Sequence, residues 1–186
     1  MTNYKLYDKN GVEVNHSDLQ SKKLWCKNGE QIEEAFVEKF GDKLKLKINP
    51  EKSTNPYAPD LVYEEQILCD LKTQNTPFFK AEKLFGIDPT YAVVFNRKDA
   101  IRYYRKYPDI VIYFWVEWHS VKFEMSRFSK EVEYLNGVYK ISFKDLIPFL
   151  KKSKEHSYQQ RVNDRKGNAK SSFVLDLRDE SFIKVA

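Results

Sequence analysis

The sequence has few cysteines, no long apolar run and no secretion signal, and these absences exclude several classes of protein. Only two of its 186 residues are cysteine, Cys26 and Cys69, so neither a disulfide framework nor the repeated ligand spacing of a zinc site is present. The longest apolar run, residues 110–116, is far below the roughly 20 residues that cross a bilayer. Because the N-terminus is polar and has no signal-peptide pattern, we expect a cytoplasmic protein without a membrane partner.

The chain has enough apolar side chains to fold, and its charge is mildly basic. Hydrophobic residues make up 41% and aromatic residues 15% of the composition, which is typical of a protein with a packed core. The formal net charge of +5 modestly favours a polyanionic partner. We expect one domain over residues 1–186, with an N-terminal hairpin extension (1–25), a core (26–120) and a C-terminal elaboration (121–186) that includes a basic loop at 151–170.

Hydrophobic periodicity predicts an α/β fold, with a mixed central β-sheet flanked by helices and with extra hairpins. A helix is predicted over residues 29–41, with Gly41 as its C-cap. Hairpins are predicted at the Asn10-Gly11 and Asn136-Gly137 turns. The other predicted elements are strands at residues 44–48, 59–63, 67–74, 91–95, 110–118 and 173–177, a short helix or irregular segment at 77–85, and helices at 99–107 and 143–150.

Two neighbouring predicted strands carry acidic residues in a distinctive arrangement. Asp60 begins the first of these strands, and Asp70 and Lys72 lie in the second. Because side chains alternate along a strand, Asp70 and Lys72 share one face, while Cys69 and Leu71 take the other. Two carboxylates beside an ammonium group are what metal-assisted phosphodiester hydrolysis uses, since Mg²⁺ is usually held by one or two carboxylates together with phosphate and water. The alternative is a solvated strand face with an ordinary ion pair.

This arrangement resembles the PD-(D/E)xK nuclease superfamily, also called restriction-endonuclease-like. Pro59-Asp60 matches the first half of the family motif and Asp70-Leu71-Lys72 the second, within a similarity that spans roughly residues 29–95. The resemblance implies a restriction-endonuclease-like core, in which a helix, three strands, a helix and a strand follow one another. It also implies Mg²⁺ as the cofactor, with Mn²⁺ as a substitute, and DNA as the partner.

Glu33 is a third candidate acid, on the first predicted helix. At about 100° per residue it falls inside the apolar arc that contains Ile32 and Phe36, whereas Glu34 and Glu38 fall outside that arc. A carboxylate on a buried stripe is unfavourable unless it is paired or binds a metal. Many members of the superfamily carry an acid of the metal site on this helix, so the resemblance assigns that role to Glu33. Alternatively, Glu33 lies at the edge of the stripe and reaches water.

The resemblance also implies a division of roles among these residues. Glu33, Asp60 and Asp70 would hold the metal, with the Leu71 carbonyl oxygen as a further ligand. Lys72 would stabilise the developing charge or help to position and deprotonate the water, and a nearby metal would lower its pKa. The four catalytic candidates are therefore Glu33, Asp60, Asp70 and Lys72.

Candidate substrate contacts lie on the same strand face and in the basic loop. Gln74 shares the face of Asp70 and could orient a phosphate. The basic loop supplies Arg and Lys side chains of the kind that contact the phosphate backbone, although a charge run is often only a solvated surface. The candidates in this loop are His156, Arg161, Arg165, Lys166 and Lys170.

Together these observations predict a Mg²⁺-dependent endonuclease that hydrolyses DNA, of the restriction or mobile-element kind. Double-strand cleavage by so small a chain with one site would fit a homodimer. Two alternatives remain open: a non-catalytic protein on the same fold that binds nucleic acid or interferes with defence, and an RNA nuclease. The presence of all four candidate residues favours an enzyme.

Overall fold

The structure, a computed structural model, describes residues 4–14, 22–153, 155–157 and 171–186, with only the backbone course for 22–30 and 157. Four of the basic-loop candidates, Arg161, Arg165, Lys166 and Lys170, lie outside these ranges. The strands are β1 (Tyr4–Tyr7), β2 (Leu46–Ile48), β3 (Leu61–Tyr63), β4 (Ile67–Gln74), β5 (Ala92–Asn96), β6 (Val111–Glu117), β7 (Lys122–Met125), β8 (Phe128–Glu131), β9 (Asn136–Ser142), β10 (His156–Ser157), β11 (Ser171–Asp176) and β12 (Ile183–Lys184). The helices are α1 (Lys22–Leu44), α2 (Ala81–Phe85), α3 (Arg97–Lys106) and α4 (Phe143–Lys152), and a 3₁₀ turn covers Pro50–Ser53.

A six-stranded mixed sheet forms the centre of the molecule. Its strand order is β12-β9-β6-β4-β3-β2. The pair β4–β6 is parallel, and the other pairs are antiparallel. The predicted α/β class with a mixed sheet is therefore confirmed. Within the described part of the chain, no helix is long and apolar enough to cross a membrane.

Helix α1 covers one face of this sheet. Its buried Phe36 packs with Cys69 and Leu71 of β4 and with Tyr113 of β6. The predicted alternation along β4 is thus confirmed, because Cys69 and Leu71 enter this core while Asp70 and Lys72 belong to the opposite face. On that opposite face, α3, α4 and the three-stranded sheet β10-β11-β5 supply the second layer.

The predicted end of α1 at Gly41 is wrong. The helix continues to Leu44, and Lys45, with a φ of 53°, takes the left-handed conformation that follows it. Gly41 is instead buried where the helix approaches β2. A Cβ atom at this position would lie 2.9 Å from the carbonyl oxygen of Leu46 and 3.0 Å from Cγ1 of Val37. The glycine therefore serves close packing and not termination.

The predicted N-terminal hairpin is present, whereas the predicted hairpin at Asn136-Gly137 is wrong. In the N-terminal segment, Gly11 N donates to Asp8 O across the turn, and Val14 N donates to Leu6 O beside the Tyr7–Glu13 bridge. Strand β1 also pairs with β7. Asn136 and Gly137 form no turn, since both lie in β9 and Gly137 pairs with Val116. A Cβ atom on Gly137 would approach the C-terminal residues, at 3.2 Å from the Ala186 oxygen, which explains a glycine in a strand.

The turn between β3 and β4 brings the two motif strands together. Gln66 N donates to Tyr63 O at 3.1 Å. The central residues Glu64 and Glu65 have φ values of 47° and 60°, as a type I′ turn requires. Three residues, 64–66, separate the paired Tyr63 and Ile67, and in this register Leu61 pairs with Cys69.

Candidate functional site

The pairing of β3 with β4 brings Asp60 and Asp70 together. Asp60 comes directly before β3, whose first residue Leu61 pairs with Cys69, so Asp60 lies opposite Asp70 in the middle of β4. Asp60 Oδ2 accepts a hydrogen bond from Leu71 N at 3.1 Å. Because the N–H and C=O of one strand residue point to the same side, the Leu71 carbonyl also points past the end of β3. Two carboxylates and one carbonyl thus share this corner of the sheet.

Lys52, which the sequence analysis did not select, joins Asp60 to Glu33. Its Nζ lies 2.5 and 2.6 Å from the two carboxylate oxygens of Glu33 and 2.6 Å from Asp60 Oδ1. The exposed fractions of these three side chains are only 15–17%. The predicted burial of Glu33 is therefore confirmed. A lone lysine in a Pro/Asn/Ser-rich loop has no pattern that would have identified it.

Asn49 positions the turn that carries Lys52. Its buried side chain accepts a hydrogen bond from Glu51 N at 3.1 Å and donates one to the Pro59 carbonyl at 2.9 Å. Asn49 N also donates to the Asp60 carbonyl at 3.0 Å. Asn49 therefore caps the 3₁₀ turn and holds it against the Pro59-Asp60 segment.

On the other side of the corner, Lys72 lies between two carboxylates. Its Nζ is 2.6 Å from Asp70 Oδ2 and 2.8 Å from Asp99 Oδ2. Asp99 stands in the first turn of α3, where Arg102 reaches it at 3.3 Å and reaches Asp70 at 3.7 Å. Arg102 also donates to the Tyr103 hydroxyl at 2.8 Å. The sequence analysis did not select Asp99, and an i, i+3 Asp–Arg pair was the only local signal for it.

Asp70 is the most buried acid of the site, at 1% exposure. Its Oδ2 accepts no well-aligned hydrogen bond from any described group, even though the Lys72 ammonium lies 2.6 Å away. The close ammonium therefore provides positive charge next to this oxygen without the geometry of a hydrogen bond. A buried carboxylate oxygen in this state can accept a further cation or donor.

Burial, with a smaller contribution from Asp60, raises the pKa values of two carboxyl groups of the site. Burial raises the pKa of Glu33 to about 7, assisted by Asp60, although Lys52 opposes the shift. Burial and Asp60 also raise the pKa of Asp70, against the effect of Lys72. Among the described side chains of this network, four carboxylates face three cationic groups. With all four acids ionised, the formal charge of this network is −1, although each carboxylate lies next to a cationic group.

The pKa of Lys72 is shifted upward. Burial by itself would lower it, but Asp70 and Asp99 outweigh that effect and raise it well above its usual value. Lys72 is therefore an ammonium group at neutral pH, held by two acids.

The protein donors at this corner are too few to surround a metal ion completely, but they suit a small hard cation that keeps part of its water shell. Among the residues described, no three His, Cys, Asp or Glu side chains are grouped so that they could hold a metal ion. Mg²⁺ needs only one or two carboxylates, because it keeps several waters. Asp60 and Asp70, with the Leu71 carbonyl, could supply these donors. Glu33 could join them only if Lys52 moved away.

The two described substrate-binding candidates have other partners in the fold. Gln74 donates to the Ala92 carbonyl at 3.3 Å and accepts from Val94 N at 3.0 Å, so its amide ties β4 to the edge of β5. A role in binding phosphate would require these bonds to break. His156 lies in β10 among aromatic rings, with centroid distances of 5.0 Å to Phe78 and 5.6 Å to Phe85. Burial lowers its pKa.

Comparisons with known proteins give no match for this chain, whether to protein-family models, to curated proteins or to solved structures.

Proposed function

We propose that this protein is a Mg²⁺-dependent nuclease that hydrolyses DNA on a restriction-endonuclease-like core. The observation that carries the proposal is the meeting of Asp60, at the start of β3, with Asp70 in the paired strand β4, and the Lys72 ammonium lies 2.6 Å from Asp70. The chain order is α1, the strands β2 to β4, then α2 and β5, and then α3 and β6; apart from the intervening α2 and β5, it is the order expected of that core, and it supports the proposal. Helix α1 also delivers Glu33 to Asp60 through Lys52.

In this mechanism Asp60 and Asp70 hold the cation, with the Leu71 carbonyl as a further ligand. When bound, Mg²⁺ supplies Lewis-acid polarisation of the phosphate and a water of lowered pKa. Lys72 remains protonated, because Asp70 and Asp99 hold it, and it donates hydrogen bonds to the phosphate as negative charge develops. This geometry favours charge stabilisation over proton abstraction as the role of Lys72. Asp99 acts through Lys72 as a positioning residue.

The outer face of α3 supports a polyanionic substrate. Lys98, Arg105 and Lys106 are exposed there, next to Tyr104 at 70% exposure. The single acid of α3, Asp99, is turned inward onto Lys72. The outward charge of this helix is therefore positive, and phosphate contacts of this kind give affinity without sequence specificity.

Asp70→Asn provides the test of catalysis. The purified variant and wild type are incubated with supercoiled plasmid, linear duplex, single-stranded DNA and RNA, each with Mg²⁺, Mn²⁺ or chelator. We expect cleavage of DNA by the wild type with metal only, and a loss of at least about a hundredfold in Asp70→Asn, since the loss of one key electrostatic contact reaches this size. Cleavage of RNA alone would reassign the substrate.

Asp109→Asn is the matched control. Asp109 also follows a proline and precedes a strand, but its side chain is 74% exposed and pairs with Lys144. We expect Asp109→Asn to cleave at the wild-type rate. Equal loss of activity in both variants, or full activity in Asp70→Asn, would remove the proposed mechanism.

A non-catalytic protein that binds nucleic acid is the second candidate. One observation favours it: Lys52 and Lys72 already neutralise much of the acidic network, which could therefore serve the fold alone. Retained binding of DNA without cleavage, in Mg²⁺ and in Mn²⁺, would select this candidate. A homodimer stays a prediction that the mass of the protein in solution can test.

A further inference from the structure

We propose that Lys52 is a built-in counter-ion that occupies the Glu33–Asp60 pair and must withdraw when a divalent cation binds there. The proposal rests on the proposed function only in sharing Asp60 as a metal ligand. It extends that function by making cation binding a competition with one side chain of this chain.

The contacts of Lys52 have the geometry of a cation site. Three carboxylate oxygens from two acids surround one Nζ at 2.5–2.6 Å. Hard divalent cations take carboxylate oxygens at about 2.0–2.6 Å, so they need the same space. Since two cations this close would repel each other at low effective dielectric, ammonium and metal exclude one another at the Glu33–Asp60 pair.

Lys52 can leave without unfolding the loop that carries it. The 3₁₀ turn Pro50–Ser53 lies at the surface, with Pro50, Glu51 and Ser53 exposed. Asn49 holds this turn through bonds to Glu51, Pro59 and Asp60 that do not involve the Lys52 side chain. Rotation of the flexible lysine side chain alone would therefore release the two carboxylates, and the backbone could stay in place.

Two opposite consequences follow from this competition. With chelator present, loss of Lys52 leaves Glu33 and Asp60 as neighbouring, largely buried acids without their shared cation, so the protein should be less stable. With a divalent cation present, loss of Lys52 removes the competitor, so binding should be tighter. A lysine that merely supported the site would give weaker binding when removed.

Lys52→Met tests the proposal because it removes the charge and keeps the side-chain length. The matched control is Lys47→Met, which removes an ion pair to Glu65 whose side chains are 69% and 73% exposed. Thermal unfolding is measured in chelator and in Mn²⁺, and Mn²⁺ affinity is measured by calorimetry, without nucleic acid. We expect Lys52→Met to melt below the control in chelator, to bind Mn²⁺ about tenfold more tightly than wild type, and to gain more stability from it.

Binding of Mn²⁺ by Lys52→Met that is equal to wild type, weaker or undetectable would overturn the proposal. Should this variant not fold in chelator, Lys52→Gln replaces it under the same criterion, since it also removes the positive charge while its amide can still donate a hydrogen bond to one of the two carboxylates. The two proposals fail separately. Wild type that cleaves no nucleic acid, while Lys52→Met binds Mn²⁺ more tightly, removes only the nuclease. An active wild type with no gain in affinity in Lys52→Met removes only the counter-ion.

Discussion

Lys72→Met should lower the stability of the protein, whereas Asp70→Asn should leave it unchanged or raise it, although each variant removes one member of the same ion pair. Asp70 is 1% exposed, and burial raises its pKa, so its ionised form is unfavourable in the folded protein. Asp70→Asn removes that buried charge, and Lys72 keeps Asp99 as a partner at 2.8 Å. Lys72→Met instead takes the nearest ammonium away from both acids.

The size of each effect follows from these contacts. Breaking a buried ion pair by removing one partner costs about 3–5 kcal/mol. Because Lys72 is 20% exposed and Arg102 stays 3.3 Å from Asp99, we expect about 2–3 kcal/mol for Lys72→Met. In a chain of this length each kcal/mol shifts Tm by about 2–4 °C, so Tm should fall by about 4–12 °C. For Asp70→Asn we expect an unchanged Tm or a rise of up to about 4 °C.

Circular dichroism melts at neutral pH in chelator measure both variants against wild type. Asp109→Asn is the control, because it shows how much Tm changes when an exposed carboxylate is replaced. A fall in Tm for Asp70→Asn as large as that for Lys72→Met would refute the reasoning. Asp70 would then be a stabilising member of a structural pair, and not an acid whose burial is retained at the expense of stability for the sake of function.

Three further outcomes are expected. The pKa of Glu33 is raised from 4.5 to about 7, so between these pH values the folded protein binds a proton that the unfolded chain releases, and its stability falls as pH rises. Glu33→Gln should make the free energy of unfolding, measured by urea titration, less dependent on pH in this window. An unchanged pH dependence would contradict the shift. Asn and Gly tolerate positive φ values better than glutamate does, so replacing Glu64-Glu65 by Asn-Gly should add about 1 kcal/mol to the free energy of unfolding. A lower free energy of unfolding would mean that the turn is not type I′. Cys69 is fully buried, and burial raises the pKa of its thiol to about 12. In a Cys26→Ser background this thiol should therefore react with a disulfide reagent only after the protein unfolds. Rapid labelling of the native protein would show instead that the sheet opens beneath α1.

Much of the local structure around the site could be predicted from the sequence. The alternation that sends Asp70 and Lys72 to one face of β4 depends only on the period of a strand. The partial burial of Glu33 followed from its place on an apolar arc. The predicted helix at 143–150 is also found, and it begins directly after Ser142, whose Oγ accepts from Asp145 N at 3.1 Å. Each of these features is set by residues within a few positions of one another.

Features that depend on distant segments could not be predicted in this way. Gly41 and Asn136-Gly137 carry ordinary turn signals, but the approach of β2 and of the C-terminal residues decides that one lies inside a helix and the other inside a strand. Local propensity is a weak preference, and tertiary packing overrides it.

The sequence by itself determined the two motif strands, the face that carries Asp70 and Lys72, and the buried position of Glu33, because these depend on the repeat of the backbone. Only the tertiary structure decided the partners of these charges: Lys52 between Glu33 and Asp60, and Asp99 beside Lys72. The physical reason is that an ion pair is chosen by distance in space and by burial, and neither quantity is encoded in the spacing of residues along the chain.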